Sequence, residues 1–107
     1  MIKQKLRKII EYYGVISQLK YFQSEIFELN EAIIKQENKN SLISAIERIT
    51  TGKNEGIRNI AEEIADVLVM LEQFKLYYGI SNNEIADIVK YKVDRQIKRI
   101  EDAEKKV

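Results

Sequence analysis

The chain contains no cysteine, no histidine and no proline. Without cysteine and histidine, the protein has no disulfides, no catalytic thiolate, no zinc site built from these ligands and no histidine general base. Any catalytic chemistry must therefore come from carboxylates, lysines, arginines, tyrosines or amides.

An excess of one charge and a long hydrophobic run are also lacking. The 18 basic and 17 acidic residues give a formal net charge of +1, which provides no strong field to attract nucleic acid or a membrane surface. The apolar run at 67–71 is far shorter than the roughly 20 residues that span a bilayer. The N-terminal MIKQKLRKIIEYY does not resemble a signal peptide. We therefore predict a cytoplasmic protein that binds neither nucleic acid nor a membrane.

What is present is a pattern of helices. A chain of 107 residues that is 45% apolar has the size of one domain with its own core, so we predict a single domain over 1–107. One apolar stripe advances in steps of four and three, which predicts a helix from near Tyr13 to near Glu37. The residues of this stripe are Val15, Leu19, Phe22, Ile26, Leu29 and Ile33.

The middle of the chain predicts a short helix, a loop and a helix start. SLISAIERIT is expected to form a short helix that ends before Gly52, and TGKNEGIRN, at 51–59, is expected to be a loop. Asn59 followed by Glu62 has the spacing of a capping box, so we predict that Asn59 caps the next helix.

Two more helix ends are predicted near residue 80. The helix after Asn59 is expected to run to about Tyr78, where Gly79 ends it. Ser81 followed by Glu84 forms a second capping box, which opens a last helix through IADIVKYKVDRQIKRIEDAEKK.

The helix at 60–78 has apolar residues on nearly every side, which is typical of a buried helix. A bundle of this size covers only part of such a helix, so we expect a second copy of the chain to cover the rest. The predicted fold is all-α: a small antiparallel bundle of about four helices, completed by assembly into a dimer or a tetramer.

Two pairs of acidic residues stand out against this apolar background. Glu63 and Asp66 are three residues apart in EEIADVLVML, and Glu25 and Glu28 have the same spacing in SEIFEL. Residues at i and i+3 share one face of a helix. If the two long helices pack side by side, the four carboxylates meet at their seam. We expect Asp66 to be buried, because apolar residues flank it on both sides.

Four neighbouring carboxylates repel one another unless they hold protons or a cation. Ligands that are all oxygen suit a hard ion such as Mg²⁺ or Mn²⁺. Such an ion leaves positions open for water and phosphate oxygens, which points to metal-assisted hydrolysis of a phosphoanhydride. The alternative is that paired acids simply cover a solvated helix face in a chain that is 33% charged.

The two motifs, SEIFEL at 24–29 and EEIADV at 62–67, resemble those of the MazG-like all-α nucleoside triphosphate pyrophosphohydrolases, which include the dimeric dUTPase-like enzymes. The resemblance extends from about Tyr13 to Arg99. It implies that Glu25, Glu28, Glu63 and Asp66 hold Mg²⁺. It also implies cleavage of a nucleoside triphosphate between its α and β phosphates, which yields the monophosphate and pyrophosphate.

Further residues are candidates for substrate contact. Lys92, Arg95 and Arg99 share a face of the last helix and have the charge to bind phosphates. The alternative is a solvated basic face paired with nearby acids, among them Asp94. Gln18 lies two turns before Glu25, and one interpretation is that its amide hydrogen-bonds a sugar or base. The alternative is an ordinary surface glutamine.

Three tyrosines near the first motif are also candidates. Tyr12, Tyr13 and Tyr21 have rings that stack on a nucleobase, although tyrosines at helical spacing more often belong to a core or an interface.

The favoured function is a homo-oligomeric, Mg²⁺-dependent nucleoside triphosphate pyrophosphohydrolase that acts on noncanonical nucleotides or on the normal nucleotide pool. The alternative is a helical assembly or regulatory module without turnover. Asp66 distinguishes the two in part, because a purely structural helix would be more stable with Ala or Leu at that position.

Overall fold

A computed structural model of the protein describes residues 1–52 and 54–106, without the side chains of Ser41 and Thr51. In these residues the chain is all-α, as predicted, with five helices and no strand. One helix more is present than the four or so that we expected. The helices are α1 Ile2–Tyr13, α2 Val15–Glu37, α3 Ser41–Thr51, α4 Glu55–Tyr78 and α5 Asn82–Lys105.

The chain divides into two compact units, the first ending at Tyr77 and the second beginning at Tyr78. Helices α1 to α4 belong to the first unit and α5 to the second. The prediction of one domain over 1–107 stays a prediction.

The extra helix is α1, which lies before the first predicted helix; α2 begins at Val15, close to the predicted start near Tyr13. Gly14 has a φ of 86°, a backbone conformation that is costly for any residue with a Cβ, and it separates α1 from α2. The predicted end near Glu37 is confirmed. The predicted apolar stripe begins at Val15, so it gave no information about the helix before the glycine.

The start of α4 lies five residues earlier than predicted. Asn54, and not Asn59, caps the helix: its Oδ1 accepts hydrogen bonds from the backbone N–H groups of Gly56 at 2.9 Å and Ile57 at 3.3 Å. The loop predicted at 51–59 is therefore helical from Glu55 onward. Both asparagines are suitable N-cap residues, although only Asn59 has a Glu three residues later, and the earlier cap adds another turn to the helix.

The other helix ends agree with the sequence. Helix α3 ends before Gly52, which has a φ of 73°, and α4 ends before Gly79, which has a φ of 68°. Helix α5 begins after Ser81, whose hydroxyl accepts a hydrogen bond from the backbone N–H of Glu84 at 3.1 Å.

Helices α2 and α4 pack side by side in opposite directions. Near the start of α2, Gln18 bonds to Gln73, close to the end of α4. Near the end of α2, the Gln36 side chain lies against Gly56 in the first turn of α4. Residue numbers thus rise along one helix as they fall along the other, so the two helices are antiparallel.

The face that α2 buries matches the predicted stripe in part, since Val15, Phe22, Ile26 and Leu29 are half-buried. Its buried residues are Gln18, Glu25 and Ala32, seven residues apart, whereas Leu19 and Ile33 of the predicted stripe are exposed. Phe22 lies on the buried side, and its ring packs edge to face on Phe74 at 5.5 Å between centroids. A search for apolar residues alone misses the most buried positions of this face, because two of the three are polar.

The chain by itself does not bury α4 on all sides. Only Val67, Met70 and Gln73 of this helix are buried, whereas Leu68 remains 53% exposed. No helix in the described ranges has both the length and the apolar character needed to cross a membrane.

The position of the α4 cap is testable by mutation. Asn54→Ala should lower the free energy of unfolding by about 1 kcal/mol, since it leaves two N–H groups without their acceptor. Asn59 lies inside the helix, so Asn59→Ala should leave the free energy of unfolding unchanged or raise it slightly, because alanine is the better helix former. Urea denaturation of both variants measures the difference. An Asn59→Ala variant as destabilised as Asn54→Ala would contradict this helix start.

Candidate metal site

Three carboxylates meet at the seam between α2 and α4. One oxygen each from Glu25, Glu28 and Glu63 lies within 4.8 Å of the other two. The i and i+3 spacing places Glu25 and Glu28 on one face of α2, and the antiparallel packing brings α4 past that face at Glu63. The sequence predicted this convergence from the two motifs.

Glu25 is the buried member of the cluster. Only 5% of the residue is exposed, and its Oε2 atom is buried without a hydrogen-bond partner. Burial raises the pKa of its carboxyl, and the charges of Asp66 and Glu28 raise it further, while a hydrogen bond from Tyr21 acts in the opposite direction. The folded chain therefore holds a carboxylate that is costly to ionise.

Glu63 is in a similar position on α4. It is half-buried, and its Oε2 atom is also buried without a hydrogen-bond partner. The pKa of its carboxyl is raised first by desolvation and then by the charges of Glu28, Asp66 and Glu25. Each acid thus disfavours the ionised form of its neighbours.

Asp66 lies beside the cluster and is exposed, contrary to our expectation of burial. It is not one of the three carboxylates that converge. Its charge nevertheless raises the pKa values of Glu25 and Glu63, so it belongs to the same electrostatic site. The apolar residues that flank it did not predict burial, because Leu68 and Val69 are themselves exposed in this chain.

Among the described residues, no lysine or arginine forms an ion pair with any of these four acids. The ion pairs lie elsewhere, and Glu62, which we expected to act as a capping residue, pairs with Arg58. Glu28 and Asp66 are exposed, but Glu25 is buried and Glu63 is half-buried. Unpaired carboxylates in such positions are unfavourable unless a cation or protons compensate them. The ion pairs are Lys39–Glu47, Arg58–Glu62, Glu72–Lys75 and Lys90–Asp94.

The donor set fits a hard divalent ion. The candidate ligand atoms are all carboxylate oxygens. In addition, the Oε2 atoms of Glu25 and Glu63 have no hydrogen-bond partner in the described part of the protein. Mg²⁺ and Mn²⁺ prefer such oxygen ligands.

Tyr21 connects the cluster to a neighbouring groove. Its hydroxyl hydrogen-bonds to Glu25, and this bond, together with the charge of Glu25, raises the pKa of the tyrosine. Tyr21 and Glu25 are four residues apart, so the sequence contained the spacing that identifies this pair. We had considered Tyr21 only for stacking on a base.

The groove beside Tyr21 lies between α1, α2 and α4 and has a volume of about 530 Å³. That volume is within the range of small-molecule sites. Its surface is mainly apolar. We call it the tyrosine groove, and its lining residues are Ile9, Tyr13, Ser17, Gln18, Tyr21, Val69, Met70 and Gln73.

Gln18 lies in the tyrosine groove, but it is buried. Its Nε2 donates a hydrogen bond of 2.8 Å to Oε1 of Gln73, which is only 1% exposed. This bond fixes the orientation of the Gln18 amide. Gln73 was missed by the sequence analysis, because a lone glutamine in an apolar helix has no partner that its own spacing identifies.

The other proposed substrate contacts lie on α5, in the second unit. Lys92, Arg95 and Arg99 are exposed on one face of the helix. The Arg95 guanidinium lies 5.6 Å from the centre of the Tyr91 ring. Asp94 pairs with Lys90 at 3.5 Å. A phosphate-binding role for Lys92 and Arg95 stays a prediction.

The raised pKa of the Glu25 carboxyl predicts that stability depends on pH. Because the folded chain binds this proton more tightly than the unfolded chain does, stability should fall as pH rises from the ordinary value of 4.5 through the raised pKa. Glu25→Gln removes the ionisation. In a chelator, this variant should melt several degrees above the wild type near neutral pH, and the difference should disappear as pH falls towards 4.5.

Glu31→Gln is the matched control, because Glu31 is an exposed acid on the same helix. Its melting temperature should follow that of the wild type across the pH range. A Glu25→Gln variant that is less stable than the wild type near neutral pH would contradict the account of Glu25.

No protein-family model, no curated protein and no solved structure matches the chain. Its candidate chemistry is therefore argued from its own residues: a buried carboxylate at the α2–α4 seam, two neighbouring acids and a groove beside them.

Proposed function

We propose that the protein hydrolyses nucleoside triphosphates in a Mg²⁺-dependent reaction that gives the monophosphate and pyrophosphate. The observation that carries this proposal is the unpartnered Oε2 of buried Glu25, beside the carboxylates of Glu28 and Glu63. An anionic site without an internal cation favours a divalent ion, and a divalent ion favours a phosphate substrate. The resemblance of SEIFEL and EEIADV to the MazG-like motifs supports the same reaction.

Glu25, Glu28 and Glu63 would hold the ion. When bound, Mg²⁺ or Mn²⁺ supplies an activated water and offsets the negative charge of the phosphates. The residues around the cluster hold the carboxylates in place: Tyr21 bonds to Glu25, and the packing of Phe22 on Phe74 fixes α2 against α4.

Asp66 has a different proposed role. We had expected it to hold the ion, but it lies outside the three converging carboxylates and is exposed. Its carboxylate is therefore the one left to accept a proton from the attacking water. The oxygen of that water bonds to the α-phosphorus, the bond from this phosphorus to the bridging oxygen breaks, and pyrophosphate leaves.

The tyrosine groove is the proposed site for the nucleoside. Tyr13 and Tyr21 offer rings for stacking, and the oriented amide of Gln18 offers a hydrogen bond to a base or sugar. We retain Lys92 and Arg95 as proposed phosphate contacts. The resulting activity would serve nucleotide-pool control or the removal of noncanonical nucleotides in the cytoplasm.

We also propose that the chain works as a homo-oligomer, a dimer or a tetramer. Helix α4 exposes apolar side chains next to the candidate site, among them Ile64, Leu68 and Leu71. Contiguous apolar surface of this kind is typical of an interface. A second copy that covered it would also reduce the access of water to the acids.

The same apolar surface favours a second candidate function, a helical assembly module without turnover. In that case the carboxylates would have no catalytic function or would bind a regulatory cation, and no nucleotide would be cleaved. The two candidates differ in one measurable product, pyrophosphate.

The decisive assay is pyrophosphate release from a panel of canonical and modified nucleoside triphosphates with Mg²⁺. We expect the wild type to cleave at least one of them. Asp66→Ala should lower the rate by a factor of about 10² to 10⁴, the usual contribution of a general base, while the variant stays folded because Asp66 is exposed.

Glu31→Gln serves as the control and should keep the full rate, since its carboxylate is exposed and outside the three converging acids. Full activity of Asp66→Ala would rule out its role as proton acceptor. A wild type inactive on the whole panel would support the assembly module instead.

A further inference from the structure

A second groove lies at the other end of the acid cluster. It has a volume of about 300 Å³ and is formed by the last turns of α2, the residues that follow them, and the first turns of α4. Three cationic side chains line it, so we call it the basic groove: Lys35, Lys39 and Arg58.

The antiparallel packing places the basic groove directly beyond the acids. On α2, Lys35 follows Glu28 by seven residues, and on α4, Gly56 precedes Glu63 by seven. Seven helical residues span about 10 Å. The tyrosine groove begins in the opposite direction, at Tyr21. The seam thus carries a mainly apolar groove, a group of acids and a basic groove, in that order.

The basic groove has cationic groups that an anion can recruit. Lys35 is exposed and has no ion-pair partner among the described residues. Arg58 pairs with Glu62 at 3.2 Å, but both side chains are more than half exposed, and such pairs are weak. Lys39 is already held by Glu47 at 2.7 Å. Lys35 and Arg58 are therefore the cations available to a ligand.

Gly56 also lines the groove. A Cβ at Gly56 would collide with Oε1 of Gln36, an atom that is buried without a hydrogen-bond partner. The groove lies at the N-terminus of α4, where the helix dipole favours negative charge. Glu55 and Glu62 line it as well, so an anion must carry enough charge to compete with Glu62 for Arg58.

We propose that the basic groove binds the terminal phosphates of a polyphosphate chain whose first phosphate lies at the acid cluster. This inference rests on the proposed function and deepens it. It orients the substrate, with the nucleoside in the tyrosine groove and the leaving pyrophosphate at Lys35 and Arg58. It also makes the site selective for triphosphates, because a monophosphate does not extend from the acids to these cations.

The test is the affinity for inorganic tripolyphosphate, measured by calorimetry in the presence of Mg²⁺. Lys35→Gln should weaken binding about tenfold, and adding Arg58→Gln should weaken it further, as expected for the loss of charge-assisted contacts. Lys20→Gln is the matched control: it removes the same charge from an exposed position of the same helix, outside the basic groove, and should leave the affinity unchanged.

Equal affinities for the wild type and Lys35→Gln, or an equal loss in Lys20→Gln, would overturn the proposal. A Lys35→Gln variant that changes only the sedimentation of the protein would also overturn it, since the groove would then be an interface. The affinity for tripolyphosphate is measured independently of whether the protein cleaves nucleotides. If the Lys35→Gln variant cleaves nucleotide with an unchanged KM, the proposed role of the groove is contradicted and the proposed reaction is not. If tripolyphosphate binding depends on Lys35 but no nucleotide is cleaved, the proposed reaction is contradicted and the role of the groove is not.

Discussion

The candidate site of the first unit depends on the burial of one carboxylate. Glu25 is placed where α2 and α4 press together, next to Glu28 and Glu63, and one of its oxygens has no partner. Each neighbouring acid makes this arrangement less stable. A chain selected only for stability would have an apolar residue there. The lower folding stability is explained if the acids serve to bind a cation.

The order of groups along the α2–α4 seam gives the site a direction. Gln18 and Tyr21 lie on one side of the acids, and Lys35 and Arg58 on the other. The chemistry of the seam changes from mainly apolar to acidic to basic. This order matches the parts of the proposed substrate, a nucleoside, a metal-bound phosphate and the remaining phosphates. Because both grooves are formed by the same antiparallel helix pair, one packing arrangement positions the whole candidate site.

The sequence predicted the parts of this protein that local chemistry determines. Gly52, Gly79 and Ser81 mark helix ends, and the i, i+3 spacing identified the acids that converge. Tertiary packing decided the rest. Asn59 has the better capping pattern, because Glu62 follows it by three residues, yet the structure shows that the earlier Asn54 is the cap.

Burial was the least predictable property. Apolar flanks pointed to Asp66 as the buried acid, but Glu25 is buried instead, because the face of α2 that meets α4 runs through Gln18 and Glu25. The partner of Gln18 is Gln73, 55 residues away. Hydrophobic periodicity contains no information about such polar pairs, so residues most relevant to function were the hardest to place.

The central claim is that the acid cluster binds a divalent cation, and Mn²⁺ binding measured by electron paramagnetic resonance tests it most directly. The account predicts that the wild type binds Mn²⁺, that Mg²⁺ competes for the same site, and that Glu63→Gln abolishes binding whereas Glu31→Gln does not. Failure of the wild type to bind Mn²⁺, or equal binding by Glu63→Gln, would contradict it.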